Sequence, residues 1–422
     1  MTVDIQAPQP LSAGGCPDPG RWPDLATVPG GPRAAIAAPV AARLVRRACR
    51  RLGVNLVEGA GAAASAAPTL ELHRPEEFYA RLGRDGLIGF GEAWQTGAWD
   101  SPDPGLLLTT LCHEIDTLVP GWMQRLRHAW VARPPSGQRN EVRNTRANIS
   151  AHYDLSNEMF ALFLDPSLSY SSALFSDGRY DEELLSAQHR KIDRILDRAG
   201  VGPGVRVLEI GTGWGELALR AAARGAEVVS VTLSAEQREL AQQRVARAGL
   251  SERVRIDLAD YREVEGSFDA VVSVEMVEAV GHEYWATYFA TIDRLLAPGG
   301  RAVVQAITMP HPRMLATRRT WTWINKYIFP GGFLPSVEAI DAVTREATTL
   351  RIVDDLAFGA DYAETLRRWE STFLARSDEV LALGFDQTFL RTWQFYLAYS
   401  RAGFASRYLD VHQLTFAREE QP

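Results

Sequence analysis

The chain has 422 residues, of which 46% are hydrophobic and 23% are charged, and its formal net charge is −7. This composition is typical of a globular protein with room for two domains, and the acidic balance argues against a general nucleic-acid-binding protein. The three cysteines form no C-x-x-C pair, so neither a disulfide framework nor a metal site is expected. The sequence has no apolar run of about 18 residues and no secretion-type N-terminus, so we expect a cytoplasmic protein without a membrane span.

The first third of the chain predicts a small domain of its own. Residues 1–32 are rich in proline, glycine and small residues and are expected to be disordered. Residues 33–52 are rich in alanine and arginine, which predicts a basic amphipathic helix that either rests on an anionic membrane or is simply a solvated face. The strand TLEL and the helix PEEFYARL follow, so residues 33–135 are predicted to form a small, lipid-associated α+β domain.

The remainder of the chain, residues 136–422, predicts an α/β domain. Apolar segments alternate with helical segments, which indicates a parallel sheet. Two late strands would complete a seven-stranded, mostly parallel sheet. The predicted strands are residues 206–210, 227–231, 253–257, 268–274, 301–307, 350–355 and 411–416.

The segment LEIGTGWGELAL reads as strand, glycine turn and helix. Such a turn binds a nucleotide-like ligand, because glycines allow a close backbone approach and the helix N-terminus offers free N–H groups. An NAD site needs an acidic residue at the end of the next strand, where this chain has Thr232. Glu209 instead precedes the glycines, as in the first motif of Rossmann-like class I methyltransferases. An ordinary doubly wound domain with a phosphate-binding turn is the alternative.

Five further segments resemble one family: HYDLSNEMFALFLDPSLSYSSALF, VEMVEAVG, WINKYIFPGGFLPS, FGADYAETLRRW and FYLAYSRAGF. Together they resemble the cyclopropane-fatty-acyl-phospholipid synthases and the mycolic-acid cyclopropane synthases, over residues 69–416. The resemblance implies that S-adenosylmethionine methylates the cis double bond of an acyl chain on a membrane phospholipid. The resulting carbocation would be held in an aromatic-lined tunnel until it loses a proton.

The resemblance also implies a set of cofactor contacts. They fall on Tyr170, Ser171, Glu209, Gly211, Gly213, Thr232, Leu233, Gln237, Asp260 and Tyr261. Two of these residues have an alternative interpretation from the sequence itself. Gln237 follows Ser234 at the spacing of a capping box, and Tyr261 could be packed in the core instead of beside the adenine.

In the cyclopropane synthases the base is a bicarbonate ion, whose ligands would correspond here to Ser172, Glu278, Gln305, Ile307 and Tyr396. Two of these positions depart from the family pattern, because Ser172 replaces a cysteine and Gln305 replaces a histidine. A glutamine can donate a hydrogen bond but cannot titrate. The resemblance therefore leaves bicarbonate as one alternative and a protein carboxylate as the other.

These departures are similar to those of the actinobacterial fatty-acid methyltransferases, which form 10-methylene-stearoyl chains that a separate reductase converts to tuberculostearic chains. Glu278 and Glu141 are then the candidate bases, although Glu141 could be a solvated helix residue paired with an arginine and Glu278 a surface residue. The main hypothesis is a methylene-forming enzyme, the rival is a cyclopropane synthase, and the remote alternative is an inactive lipid-binding relative. The resemblance further implies a homodimer located peripherally at the inner face of the membrane.

Overall fold

The computed structural model describes residues 16–59, 67–114, 156–318 and 320–419. The chain divides into two compact units. The first unit comprises residues 1–133, 320–328 and 366–408, and the second comprises residues 134–319, 329–365 and 409–422. Residues 320–328 and 366–408, which the sequence analysis includes in the methyltransferase domain, belong to the first unit.

The strands are β1 (Asn55–Glu58), β2 (Thr69–Leu72), β3 (Trp99–Asp100), β4 (Arg206–Ile210), β5 (Glu227–Thr232), β6 (Val254–Leu258), β7 (Phe268–Val274), β8 (Leu296–Thr308), β9 (Leu350–Ala357) and β10 (Asp410–Arg418). The α-helices of the described ranges are α1 (Pro23–Ala26), α2 (Pro32–Leu52), α3 (Pro75–Asp85), α4 (Leu87–Gln95), α5 (Pro104–His113), α6 (Asn157–Phe163), α7 (Leu184–Arg198), α8 (Glu216–Ala223), α9 (Ala235–Arg247), α10 (Trp285–Leu295), α11 (His311–Thr317), α12 (Trp323–Tyr327), α13 (Val337–Ala347), α14 (Gly359–Ala375), α15 (Ser377–Ala382) and α16 (Gln387–Ala405). None of these helices is both long and apolar enough to cross a membrane.

The second unit is built on a seven-stranded sheet with the strand order β6-β5-β4-β7-β8-β10-β9. The strands from β4 to β8 pair in parallel, whereas β10 runs antiparallel to both β8 and β9. The predicted α/β fold with a mostly parallel, seven-stranded sheet is therefore confirmed. Strands β4 and β7 have the predicted ends, and β8 begins earlier than predicted because Leu296 already pairs with Phe268, before an irregularity that precedes Arg301.

The sheet is covered on both faces, as the apolar character of its strands requires. Val207 and Leu208 are adjacent on β4 and point to opposite faces, where each is fully buried. Val207 joins a core that includes Ile192 of α7 and Leu217 of α8. Leu208 joins the other core, which includes Phe289 of α10. Burial on both faces explains why these strands read as continuous apolar runs.

The first unit contains the small sheet β1-β2-β3, in which β1 and β2 are parallel and β2 and β3 antiparallel. Its later segments belong there because their side chains complete its core. The buried guanidinium of Arg391 on α16 donates to the carbonyl oxygens of Trp94 and Trp99 and pairs with Asp100. The indole of Trp323 on α12 donates to Gln95 over 2.9 Å. These contacts link positions far apart in sequence, which no local pattern can predict.

The N-terminal segment also differs from expectation. Residues 1–15 lie outside the described part, but residues 16–32 are described and include α1. Leu25 is 2% exposed, and its carbonyl oxygen accepts a hydrogen bond from the buried Arg81 over 2.7 Å. The prediction of disorder was wrong for this part. The segment is ordered because the Leu25 side chain is buried and its carbonyl oxygen accepts a hydrogen bond that the buried Arg81 requires.

Candidate active site

The glycine turn joins β4 to α8 in a conformation that requires glycine. Gly211, Gly213 and Gly215 have φ angles of 96°, 51° and 88°, in the left-handed region that other residues adopt with strain. At Gly211 a Cβ atom would lie 2.6 Å from Cγ of Met276. Both the backbone conformation and the contact with Met276 therefore require glycine at position 211.

A cavity opens beside this turn, at the C-terminal ends of β4, β5 and β7. All the predicted cofactor residues except Asp260 line it: Tyr170, Ser171, Glu209, Gly211, Gly213, Thr232, Leu233, Gln237 and Tyr261. Asp260 instead pairs with Arg262, and its side chain caps the turn that contains Tyr261. Parallel sheets bind ligands in this place, where the loops after the strands converge.

The two residues with alternative interpretations, Gln237 and Tyr261, both line the cavity and both make contacts within the fold. The hydroxyl of Ser234 accepts a hydrogen bond from the backbone N–H of Gln237 over 3.2 Å and caps α9. The Gln237 side chain accepts from Thr232 over 3.1 Å and lines the cavity. Tyr261 lines the cavity as well and packs against Tyr288, with ring centroids 5.5 Å apart.

Glu209 is a buried carboxylate in the wall of the cavity. It accepts a hydrogen bond from the Ser230 hydroxyl over 2.5 Å. Burial raises the pKa of Glu209 to about 8, against the opposing effects of Ser230 and Lys191. Because an isolated buried charge is costly, this carboxylate suits a ligand that brings a positive group.

Lys191 is a cavity residue that the sequence analysis missed. Its ammonium group is buried and donates to the Ser171 hydroxyl over 2.5 Å, and burial lowers its pKa to about 8. The available signal was a lysine next to Ile192 on the apolar face of α7. Lys191 thus gives the cavity a cationic group, and Glu209 gives it a carboxyl group whose ionised form a positively charged ligand would stabilise. That pair is complementary to the carboxylate and the ammonium group of an amino acid, so the residues fit the methionine end of S-adenosylmethionine.

Glu275, immediately after β7, is the second residue that the sequence analysis missed. One carboxylate oxygen accepts hydrogen bonds from the backbone N–H of Ser172 (3.0 Å) and from the amide of Gln305 (2.8 Å). The other accepts from the hydroxyl of Tyr362 over 2.7 Å. Burial raises the pKa of Glu275, and these three donors counteract that rise. The signal was a second glutamate three positions before Glu278, in VEMVEAVG.

Ser172 and Gln305, two of the residues matched to bicarbonate ligands, therefore meet on Glu275. Ser172 does so through its backbone, whereas its hydroxyl donates to the carbonyl oxygen of Ala173 over 2.9 Å. The backbone of Ser172, rather than its side chain, therefore contacts Glu275.

Glu278 and Ile307 form a separate contact. The backbone N–H of Ile307 donates to Oε1 of Glu278 over 2.5 Å, while Oε2 has no hydrogen-bond partner among the residues that the structure describes. Burial and, secondarily, the charge of Glu275 raise the pKa of Glu278 to about 8. Glu278 is buried, so the alternative that it is a surface residue is wrong.

The other candidates do not join this group within the second unit. Tyr396 belongs to the first unit, where it is buried on α16 and packs edge-to-face on Trp393 with ring centroids 5.2 Å apart. Glu141 lies outside the described residues. The described ranges also contain no cluster of side chains suited to a metal ion.

Comparison with known proteins assigns the family. The profile of the mycolic acid cyclopropane synthetase family matches residues 140–414. The chain belongs to this family. It is 53% identical over 414 residues to the tuberculostearic acid methyltransferase UfaA1 of Mycobacterium tuberculosis, covering 96% of this chain and 97% of that protein. It is 34% identical over 386 residues to the cyclopropane-fatty-acyl-phospholipid synthase of Escherichia coli, covering 87% and 93% respectively.

The fold comparison agrees with this assignment. The crystal structure of mycolic acid cyclopropane synthase CmaA1 complexed with SAH and CTAB superposes with a TM-score of 0.59 at 33% identity, covering 64% of this chain and 97% of that one. The family consists of S-adenosylmethionine-dependent methyltransferases. This family member is therefore an enzyme, and its cofactor is S-adenosylmethionine.

Proposed function

We propose that the protein methylates the cis double bond of an oleoyl-type acyl chain on a phospholipid and releases a 10-methylene acyl product. The observation that carries the proposal is the hydrogen bond from Gln305 to Glu275. Gln305 is one of the two residues that depart from the cyclopropane synthase pattern, and here it binds a carboxylate of the protein itself. The likeness to a tuberculostearic acid methyltransferase over nearly the whole chain supports the same product.

S-adenosylmethionine supplies a methyl group whose bond to sulfur breaks as a new bond forms to one alkene carbon. The other alkene carbon then carries the positive charge. A hydride shift moves this charge to the methyl-bearing carbon, and loss of a proton from the new methyl group leaves a methylene. Loss of that proton before the shift closes a cyclopropane. The position and timing of the base therefore decide the product.

Glu278 is the proposed proton acceptor. Its Oε2 has no partner among the described residues, whereas Oε1 is fixed by the Ile307 N–H. A pKa near 8 gives it a high affinity for the released proton, while an ionised fraction persists at neutral pH. Each turnover transfers one proton to Glu278, which must return it to solvent before the next.

The proposed cofactor-holding groups are the glycine turn, Lys191 and Glu209, with Thr232 and Gln237 at the end of β5. The N–H groups at the start of α8 favour negative charge, as does the ammonium of Lys191. The buried carboxylate of Glu209 favours positive charge. These groups fix the orientation of the methyl donor relative to the acyl chain, which a weak nucleophile such as an alkene requires.

Cyclopropane formation is the second candidate, because the E. coli relative is a cyclopropane-fatty-acyl-phospholipid synthase. The two products have the same mass, so the test is NMR of the lipid formed from oleoyl phospholipid and S-adenosylmethionine. Vinylidene protons are the expected result. Cyclopropane protons would overturn the methylene proposal. Saturation of a methylene requires added hydrogen, so we further propose that a separate reductase consumes the product.

A stripe of residues along α2 supports peripheral membrane binding. Ile36 and Val40 are 73% and 47% exposed, and Arg43, Arg47 and Arg50 continue the stripe at helical spacing. These three arginines have no ion-pair partner among the described residues. Apolar groups followed by positive charge suit an anionic bilayer at the inner face of the membrane.

Flotation with vesicles that contain anionic phospholipid tests this surface. Reversing the charge of Arg43 and Arg47 together is expected to weaken binding about tenfold or more, since each basic residue near such a surface contributes about 1 kcal/mol. Arg247→Glu, an exposed arginine of α9, is the matched control. Equal binding of all three proteins would exclude α2 as the membrane contact. The homodimer remains a prediction.

A further inference from the structure

Three hydrogen-bond donors of the second unit converge on one buried carboxylate. They are the backbone N–H of Ser172, the amide of Gln305 and the hydroxyl of Tyr362, at 3.0, 2.8 and 2.7 Å from Glu275. The donors come from a loop, from β8 and from α14. Three donors from three separate elements form an anion site. In this chain the group in that site is the side-chain carboxylate of Glu275.

We propose that Glu275 is a built-in anion that fills this site, so that the enzyme works without bicarbonate or any other free carboxylate. The inference rests on the proposed function, since it names the group that takes the place of a free anion. Glu275 also lines the cofactor cavity, whereas Glu278 does not. Its carboxyl group therefore borders the space where the positively charged methyl donor would bind.

The donor side of Gln305 is fixed by a chain of side-chain amides. Arg194, which can only donate, donates to the carbonyl oxygen of the Gln413 side chain over 2.8 Å. The amide of Gln413 must then donate, and it does so to the carbonyl oxygen of Gln305 over 3.1 Å. Gln305 is left with its N–H groups towards Glu275. The site is thus oriented in advance to receive a negative charge.

The backbone conformation of Glu275 is energetically unfavourable. Its φ angle is 53°, in the left-handed region, which costs a residue other than glycine about 1–2 kcal/mol. Glycine would adopt this conformation without that penalty. A strained glutamate that is held by three donors is consistent with a role for the carboxylate itself.

Glu275 also acts on its neighbour. The ionisable groups that act on Glu275 from the packed elements are Lys191 of α7 and Tyr362 of α14, while Glu278 is influenced by Glu275 and faces Tyr288 of α10. The three donors favour the negative charge of Glu275, whereas burial opposes it. That charge increases the proton affinity of Glu278, so two carboxylates of the same turn take different roles: a fixed anion and a proton acceptor.

The decisive experiment compares wild type, Glu275→Gly and Glu275→Gln, with and without added bicarbonate or formate. Wild type is expected to keep full activity in bicarbonate-depleted buffer. Glu275→Gly empties the site without backbone strain, so we expect turnover to fall about 100-fold and to recover at least about tenfold with the added anion. Glu275→Gln still fills the site, so it should lose activity without recovery.

Calorimetry provides a readout that does not depend on turnover. Formate should bind Glu275→Gly and should release no heat with wild type or Glu275→Gln, while S-adenosylmethionine binds all three. Glu275→Gly that stays folded but shows neither rescue nor formate binding would overturn the inference, as would a bicarbonate requirement of the wild type, which needs no variant. The methylene or cyclopropane nature of the wild-type product decides the proposed function separately.

Discussion

The Ile307 N–H donates to Oε1 of Glu278 over 2.5 Å and leaves Oε2 as the oxygen without a partner among the described residues. A main-chain donor on β8 thus fixes the carboxylate of Glu278. The two oxygens of the Glu278 carboxylate therefore have different roles. One oxygen holds the position of the side chain, and the other is available to receive a proton.

Glu278→Gln tests the proton acceptor. The glutamine oxygen can still accept from Ile307, so the fold and the affinity for S-adenosylmethionine should change little. Turnover should fall by about 10²- to 10⁴-fold, because an amide cannot accept the proton. Steady-state kinetics with oleoyl phospholipid and calorimetry with the cofactor measure the two effects. Wild-type turnover of the variant would exclude Glu278 as the base.

The pH dependence of turnover tests the influence of Glu275 on Glu278. With a pKa of Glu278 near 8, the ionised fraction of this base grows as pH rises, so kcat should increase from pH 6 and level off above about pH 8. Removing the neighbouring negative charge in Glu275→Gln should move the residual profile to lower pH. An unshifted profile in that variant would mean that the two carboxylates do not interact.

Lys191→Met tests the buried cation of the cofactor cavity. Methionine retains most of the side-chain volume but removes the charge and the hydrogen bond to Ser171. Since a hydrogen bond from a charged group contributes about 1.5–3 kcal/mol, the Kd for S-adenosylmethionine should rise about 10- to 100-fold. Arg198→Met, on the exposed end of the same helix, is the matched control. Equal Kd values for both variants would remove Lys191 from the binding site.

Gly211→Ala tests the shape of the glycine turn. The added Cβ would meet Met276 at 2.6 Å and would force alanine to a φ of 96°, so cofactor binding should be lost or strongly reduced. Gly202→Ala is the control, because nothing lies within 4 Å of a Cβ there and its φ is ordinary. Relieving the contact with Met276→Ala should restore binding only in part, since the strained φ remains. Full restoration would show that the contact alone matters.

Local patterns predicted the sheet and the glycine turn, whereas most of the cofactor contacts were inferred from the family resemblance. The strands are short apolar runs whose burial on both faces is visible in the sequence, and the glycine turn has a characteristic spacing. Glu209, before that turn, and Thr232, at the end of β5, line the cavity beside it. Gln237, which was matched by the resemblance, lines the same cavity.

Long-range packing explains what was missed. Gln305 and Gln413 are cross-strand neighbours although they are 108 residues apart. Nothing local to Glu275 reveals that Ser172, Gln305 and Tyr362 would surround it. The assignment of residues 366–408 to the first unit depends in the same way on distant contacts, such as those of Arg391 with Trp94.

The amide chain from Arg194 through Gln413 to Gln305 has a consequence for how such an enzyme can evolve or be redesigned. Arg194 and the carbonyl oxygen of Lys191, both on α7, select the orientation of the Gln413 amide, which in turn orients the amide of Gln305. A substitution at Arg194 would thus remove one of the contacts that orient these amides, without changing a residue that lines the cofactor cavity. We therefore expect substitutions at Arg194, Gln413 and Gln305 to preserve activity only when they are made together. Transferring Gln305 alone into a related enzyme would introduce a glutamine without the partners that orient its amide.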